Sequence, residues 1–419
     1  MNKSPDDPSL KLPARAAGLA LPLMGGGALL LLLGVILGAM SSSLGIRFAM
    51  GSYLTAFIYC LTIALGALFF VIIQHLCRAG WSVTVRRSAE LYMSAMPMLA
   101  VLFLPILATL FLGNGTIYSW DSPEWIADHH PEWAESSKGT YLSQGFFTVR
   151  SLIYLGVWIG LAGYFYKTSR RQDETAEIRL TEKMQAFSGP ALILFAFSVT
   201  FASFDWLMTL EPAWFSTMWG VYVFAGSILS ALCAMAVMIY AMQRMGAMKD
   251  VVTVEHYHDF GKLIFGFITF WTYIGFSQFL LIWYANLPEE TFWFKYRQEG
   301  GWEVISLSLV GLHWLLPFLG TMSRHVRRRP GLMCFWALYV LVMHFVDVYW
   351  MVMPTIGQYM PTPLASVGGG LTGIATSLLC LAGMLGLFIG WVLRTGENAP
   401  LIPVRDPRLQ ESLSFHQVF

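Results

Sequence analysis

Two aspartates lie inside long apolar runs, and each is followed seven residues later by a proline. The first run reads Asp205-Trp206-Leu207-Met208-Thr209-Leu210-Glu211-Pro212, the second Asp347-Val348-Tyr349-Trp350-Met351-Val352-Met353-Pro354. A carboxyl group at membrane depth costs a few kcal/mol or more to bury, so by default it marks a functional site. A carboxyl that alternates there between its charged and neutral forms carries a proton. The same arrangement twice in one chain predicts an internal repeat with one acid per half, and points to the movement of protons or charge across a membrane.

Other polar groups fall at matching depths. At 1.5 Å per residue, Asp205 lies about 22 Å along its helix from Pro190, and Asp347 about 21 Å from Met333. Arg150, on the preceding and oppositely directed segment, lies about 25 Å from Lys167, near the level of Asp205. An Arg150–Asp205 pair would ease the burial of both charges and hold Asp205 as a fixed charge. His344 and Asp347 are three apart and share a helix face, with no arginine to place beside them. Asp347 is therefore the acid expected to change protonation. His313 falls near mid-membrane on the segment before. Ser277, Gln278 and Glu211, with Glu289 and Glu290, could extend a hydrogen-bonded chain of proton-passing groups. The alternative is that such groups are ordinary contacts between helices, worth ~0.6 kcal/mol each.

The elements that must position these residues are membrane-spanning helices. Hydrophobic residues make up 56% of the 419-residue chain and charged residues 12%, with a mean hydropathy of +0.58. An ordinary soluble domain carries ~25% charged residues. A span needs ~20 mostly apolar residues. Ten segments qualify, at roughly 18–40, 52–76, 92–112, 146–166, 190–210, 218–240, 263–284, 304–322, 332–352 and 371–393. Of the 26 lysines and arginines, only Arg47, Lys138, Lys295 and Arg297 fall in the outer loops when the N-terminus is placed inside, and Arg150 falls within a span. That bias sets both termini in the cytoplasm. The first span is too long for a signal-peptide core and no small-residue cleavage site follows, so it reads as an uncleaved helix. Its Gly25-Gly26-Gly27 would permit close helix approach.

Lys167-Thr168-Ser169-Arg170-Arg171 closes the fourth span and Thr321-Met322-Ser323-Arg324 the eighth, each just before a span bearing an aspartate. The predicted architecture is all-α: two parallel four-helix bundles, spans 2–5 (52–210) and spans 6–9 (218–352), flanked by spans 1 and 10. Segment 78–91 is expected along the inner surface, held by Arg78, Arg86 and Arg87. Segment 167–189 reads as a solvated mixed-charge loop or short helix, and 394–419 as an extended cytoplasmic tail. The outer loop 113–145 combines Trp120, Trp125 and Trp133 with Asp121, Glu124, Asp128, Glu132 and Glu135. The tryptophans suit the membrane interface, and the acids would suit a partner's surface.

Cys60, Cys77, Cys233, Cys334 and Cys380 include no Cys-x-x-Cys pair, so their spacing suits neither an iron–sulfur cluster nor a zinc site. They read as small packing residues. His75, His313 and His344 are embedded in spans but lack the turn-to-turn pairing that would hold a haem. His129-His130 and His256-x-His258 read as solvated loop residues. No phosphate loop, dinucleotide fingerprint or nucleophilic triad is visible, and no nucleic-acid partner is expected.

The chain also resembles a family over most of its length. Lys138-Gly-Thr-Tyr141-Leu142-Ser-Gln-Gly-Phe146-Phe147-Thr-Val-Arg150 is similar to the start of the fourth helix in NrfD/PsrC-type membrane subunits. Phe204-Asp205-Trp206 through Glu211-Pro212-Ala-Trp214-Phe215-Ser216-Thr217 carries the likeness further, with Val221-Tyr222-Val223-Phe224-Ala225-Gly226 and Phe276-Ser277-Gln278 through Leu287-Pro288-Glu289-Glu290-Thr291. Together these resemble the second NrfD-like subunit of bacterial alternative complex III. The resemblance implies a ten-helix subunit in the bacterial cytoplasmic membrane. It would sit with a sister subunit of the same fold, an iron–sulfur protein and c-type haem proteins. The clusters and haem c belong to those partners, and the NrfD-like subunits carry no redox centre. It also implies proton conduction here, with quinol oxidation usually assigned to the sister subunit.

Three functional readings follow. The first is a membrane subunit of a respiratory quinol:acceptor oxidoreductase that contributes a proton path and scaffold through Asp205 and Asp347, supported by His344, Arg150, Gln278, Glu211, Ser277 and His313. The second places a quinol within this chain, with an aspartate or histidine taking its proton. The third is a free-standing secondary transporter with its site between the repeats.

Overall fold

The computed structural model describes residues 7–41, 45–113, 115–133, 136–358 and 369–416; Lys3 and Glu135 lie outside them. Among the described residues the chain is helical, with no strand. Ten helices are long and apolar enough to cross a membrane: α1 (Ala14–Met40), α2 (Gly45–Leu76), α3 (Val83–Leu112), α4 (Gln144–Thr175), α5 (Ile178–Leu210), α6 (Trp219–Arg244), α7 (Val254–Ala285), α8 (Trp302–Met322), α9 (Pro330–Gly357) and α10 (Gly370–Gly396). The chain is a multi-pass membrane protein.

Burial ranks the helices. The most apolar windows of α2 and α6 are each 89% buried, against 22% for α1 and α8 and 28% for α7. In a membrane the chemical character of a surface does not drive helices together, so backbones must approach closely at the centre. Gly66 on α2 does this: a Cβ there would overlap the backbone carbonyl of Ser227 on α6. Around that crossing α2 also packs on α3, α5, α9 and α10, and α6 packs on α5, α7 and α9. The α4 helix lies against α5, and the π-helical stretch and last turns of α8 lie against α9. The first and last spans, α1 and α10, meet along glycines. Gly27, not Gly25 or Gly26, lies at the contact, where a Cβ would be 2.7 Å from the Gly383 carbonyl oxygen.

Several helices run past their apolar segments on the side bearing the basic residues, which corrects three expectations. Segment 78–91 does not lie on the inner surface. Its helix, Val83–Met93, is buried along its whole length, because Arg86 and Arg87 find carboxylates there. Segment 167–189 is no loop: α4 and α5 extend through it and are broken only at Ala176 and Glu177, where Ala176 takes a left-handed conformation (φ 58°). The tail beyond residue 396 is not extended into solvent. Leu401, Ile402 and Val404 are buried, and the Leu401 N–H donates to the Leu10 carbonyl (2.7 Å). Apolar residues spaced among the prolines and arginines give the tail something to bury.

The two Asp-x6-Pro runs take different local forms. After Asp205, the α-helix ends at Trp206, a 3-10 turn covers Met208–Leu210, and Pro212 follows outside. After Asp347 the helix continues through Pro354. Proline has no N–H, so Pro354 deprives the Trp350 carbonyl of its usual donor. Arg297 supplies one instead, Nε donating to Trp350 O (3.2 Å) and Nη2 to Met351 O (3.1 Å).

Candidate functional site

Asp205 is fully buried and fully occupied. Arg150 meets it with a two-pronged contact, Nε to Oδ2 at 2.8 Å and Nη2 to Oδ1 at 2.9 Å. Tyr141 donates to Oδ1 and Tyr154 to Oδ2, each at 2.8 Å. The remaining guanidinium nitrogen donates to the Tyr141 carbonyl (2.8 Å), and the group lies over the Tyr141 ring (3.8 Å to its centroid). Four donors, two of them on one planar cation, fix this carboxylate geometrically. The Arg150–Asp205 pair read from helix depth is present, and Tyr154, one turn beyond Arg150 on α4, completes it.

Asp347 is equally buried but is held only by neutral donors. Tyr222 of α6 donates to Oδ1 (2.5 Å) and the Trp271 indole of α7 to Oδ2 (3.1 Å). Its nearest basic partner among the described residues is His344, whose Nδ1 is 3.9 Å from Oδ2. Thr62 of α2 gives its one hydroxyl hydrogen to the Tyr59 carbonyl (2.9 Å), so the Thr62–His344 contact (2.9 Å) must be donated by Nε2–H. Neutral His344 then presents a bare Nδ1 to Asp347, and Nδ1 has no hydrogen-bond partner. A movement of about 1 Å would bring the two within hydrogen-bond distance once the carboxyl carries a proton to donate to that nitrogen. Gly226 makes room for the ring, since a Cβ there would stand 3.1 Å from His344 Cε1.

The other predicted residues are distributed around this pair. His313 is fully buried on α8 in a π-helical stretch, Leu309–Leu315. Its ring meets the edge of Trp271 at 4.3 Å between centroids, and neither ring nitrogen has a partner. Trp271 thus stands between His313 and Asp347. Gln278 is buried and accepts from the Ser216 hydroxyl (3.1 Å), tying α7 to the turn after α5. Ser277 faces elsewhere: its hydroxyl donates to the Ile274 carbonyl of its own helix (3.0 Å). Glu289 is exposed, and Glu290 contributes its backbone carbonyl to Trp214. Glu211 is buried just beyond α5, where burial pushes its carboxyl up to about 7 and the charge of Arg297 partly opposes the rise.

Arg297 is the largest omission from the sequence reading, which set it in an outer loop. It is fully buried, lies over the Trp293 ring (3.4 Å) and donates to three backbone carbonyls. The signal was available: Pro354 must leave the carbonyl four residues earlier without a donor. Tyr222, Trp271 and Thr62 lacked such a signal, because only the fold shows which aromatic or hydroxyl faces the Asp347–His344 pair.

A second cluster, at the end of the bundle with the basic residues, was also missed. Arg86 joins Glu90 (3.2 Å) and Asp406 of the tail (2.6 Å), while Arg87 joins Glu90 (3.1 Å) and Asp173 of α4 (2.5 Å). The Val404 N–H also donates to Asp173 (3.0 Å), so the cluster binds the tail to α3 and α4. Nearby, His256 is buried rather than solvated, within 2.9 Å of the Thr84 hydroxyl; His258 is buried as well. In the outer loop Trp120 and Trp133 are buried, and Asp121 accepts from Gln144 (2.8 Å). Glu124, Asp128 and Glu132 are exposed. All five cysteines are free. No group of three metal-binding side chains occurs among the described residues.

Compared with known proteins, the chain matches no family model and no curated sequence.

Proposed function

We propose that this chain is a membrane subunit of a respiratory quinol:acceptor oxidoreductase of the alternative complex III type, contributing a proton path and membrane scaffold. Its partners would be a sister NrfD-like subunit, an iron–sulfur protein and c-type haem proteins, which would carry the redox groups. The complex would lie in a bacterial cytoplasmic membrane with both termini of this chain inside. The observation that carries the reading is the contrast between the two buried acids. Asp205 is locked by a guanidinium and two phenols, whereas Asp347 has neutral donors and a histidine nitrogen poised beside it. A fixed charge beside one helix and a protonatable pair beside its counterpart suit a path that loads and releases protons.

Within that reading, α2–α5 and α6–α9 form two four-helix bundles related by an axis along the membrane normal. Such an axis exchanges α2 with α6 and α5 with α9. The cross-contacts α2–α9 and α5–α6, which it would interchange, both occur and support it.

Purification from native membranes in mild detergent tests the assignment. The chain should co-purify with multihaem and iron–sulfur proteins, and the separated polypeptide should show no Soret band and no iron. Recovery of the chain alone, active in solute uptake, would contradict it.

One observation favours a second reading, a quinol held by this chain. His313 has two unpartnered ring nitrogens, and π-helical turns gather at functional sites. Protection of the isolated chain against unfolding by a quinol analogue, lost in His313→Leu, would favour that reading over the first.

A further inference from the structure

A groove of about 530 Å³ opens between α1, α4 and α10, away from both acids. That volume is within the ~300–1,000 Å³ typical of ligand sites. Its chemistry is graded along its length. Arg170 and Arg394 lie nearest the ends of α4 and α10, and Tyr166, Trp391, Leu21 and Met24 line the part further in, where Met24 packs at the level of Gly390. All three helices contribute the turns that lie toward the basic end of the bundle: α1 its first turns, α4 and α10 their last. The gradient therefore runs from the membrane surface into the hydrocarbon.

The charges at the mouth favour an anion. Arg170 donates to the Asn398 backbone carbonyl, which orients the guanidinium without neutralising it. Arg394 pairs with Glu397, but it is 58% exposed along its side chain and can turn to a second anion. Lys167, exposed on α4 one turn before Arg170, adds to the local positive charge. Among the described residues, none that lines the groove is acidic. Leu21 is 65% exposed, an apolar surface that water would leave uncovered and an acyl chain would cover.

We infer that this groove binds an anionic phospholipid of the adjoining leaflet, with its phosphodiester between Arg170 and Arg394 and an acyl chain along Leu21 and Met24. Basic pockets between spans on the cytoplasmic side suit anionic head groups. Trp391 holds the wall of the site in place, its indole donating to the Ser94 carbonyl on the α3 segment (3.1 Å). The bound lipid would close the seam between the pair α1–α10 and α4.

Native mass spectrometry of the full chain in detergent tests this, with phosphatidylglycerol or phosphatidylcholine of identical acyl chains added. Phosphatidylglycerol should be retained more strongly, by about fivefold or more for each arginine engaged. Arg170→Gln with Arg394→Gln should reduce its retention to the phosphatidylcholine level, while Arg179→Gln, an exposed arginine at the start of α5, should not. Leu21→Trp keeps both arginines and fills the apolar part, so it should weaken retention without touching the charges, which covers the case in which the double variant fails to fold. Equal retention of the two lipids would overturn the proposal, as would wild-type retention in both the double variant and Leu21→Trp. So would displacement of phosphatidylglycerol by millimolar inorganic phosphate, which would make the site one for a free anion.

Discussion

Asp205 and Asp347 are both buried, and their neighbours separate their roles. Removing the charge of Asp205 leaves Arg150 without its carboxylate in a site that Tyr141 and Phe146 close over. Breaking a buried pair from one side costs about 3–5 kcal/mol. Asp205→Asn should therefore lower the unfolding temperature in detergent and the yield of folded protein. Asp205→Leu combined with Arg150→Met should recover part of the loss, because no unpaired charge remains. A single variant as stable as the parent would show that the pair contributes nothing. Glu211 makes a separate prediction through pH. Its carboxyl is raised from 4.5 to about 7 by burial, so the folded state holds a proton that the unfolded state has released between those values. Its stabilising contribution is complete below about 4.5 and is lost as the pH rises through about 7, an effect on the order of 3 kcal/mol. Unfolding curves at pH 5 and pH 8 should differ less for Glu211→Gln than for the parent, and equal differences would count against the buried carboxyl.

At the level of elements, the repeated Asp-x6-Pro run produces one helix that stops and one that continues. The continuing helix, α9, depends on a side chain from outside it. Arg297→Gln should leave the Trp350 carbonyl without its donor and remove a buried cation from the Trp293 ring. The expected loss is about 1–3 kcal/mol, read as a lower unfolding temperature. Arg297→Lys should rescue it only partly, since a single ammonium cannot match the planar fork that reaches Trp350 and Met351 together. No change in Arg297→Gln would mean that the freed carbonyl is satisfied in another way. The ten spans and the Arg150–Asp205 pair could be read from the sequence, because apolar run length and depth at 1.5 Å per residue are properties of single helices. The helix ends on the side bearing the basic residues were misread for a physical reason. Arg86, Arg87, Glu90, Asp173 and Asp406 each look like solvated charges, and only their convergence makes them a buried cluster. Glu90, three and four residues from the two arginines, was the one local hint. His344 could be set beside Asp347 from their spacing, but the partners of this pair on other helices could not be read, since Tyr222 and Trp271, which meet Asp347, and Thr62, which meets His344, come from α6, α7 and α2.

For the molecule as a whole, α2 and α6 form a central seam, and Thr62 and Tyr222 reach the Asp347–His344 pair from its two sides. This places Asp347 and His344 where α2 and α6 meet, with Arg297 and Glu211 toward one end of the bundle. At the other end, the buried cluster ties the tail to α3 and α4. A proton path through such a seam needs a group that exchanges its proton, and Asp347 is that group in this account. The most direct measurement is proton release per electron by the proposed quinol-oxidising complex in sealed vesicles, comparing Asp347→Asn with the parent. The account predicts that quinol oxidation in detergent stays measurable and the complex assembles, while proton release per electron falls severalfold. Asp347→Asn vesicles that release protons as the parent does would contradict it, and Asp347 would then be no more than a packing contact.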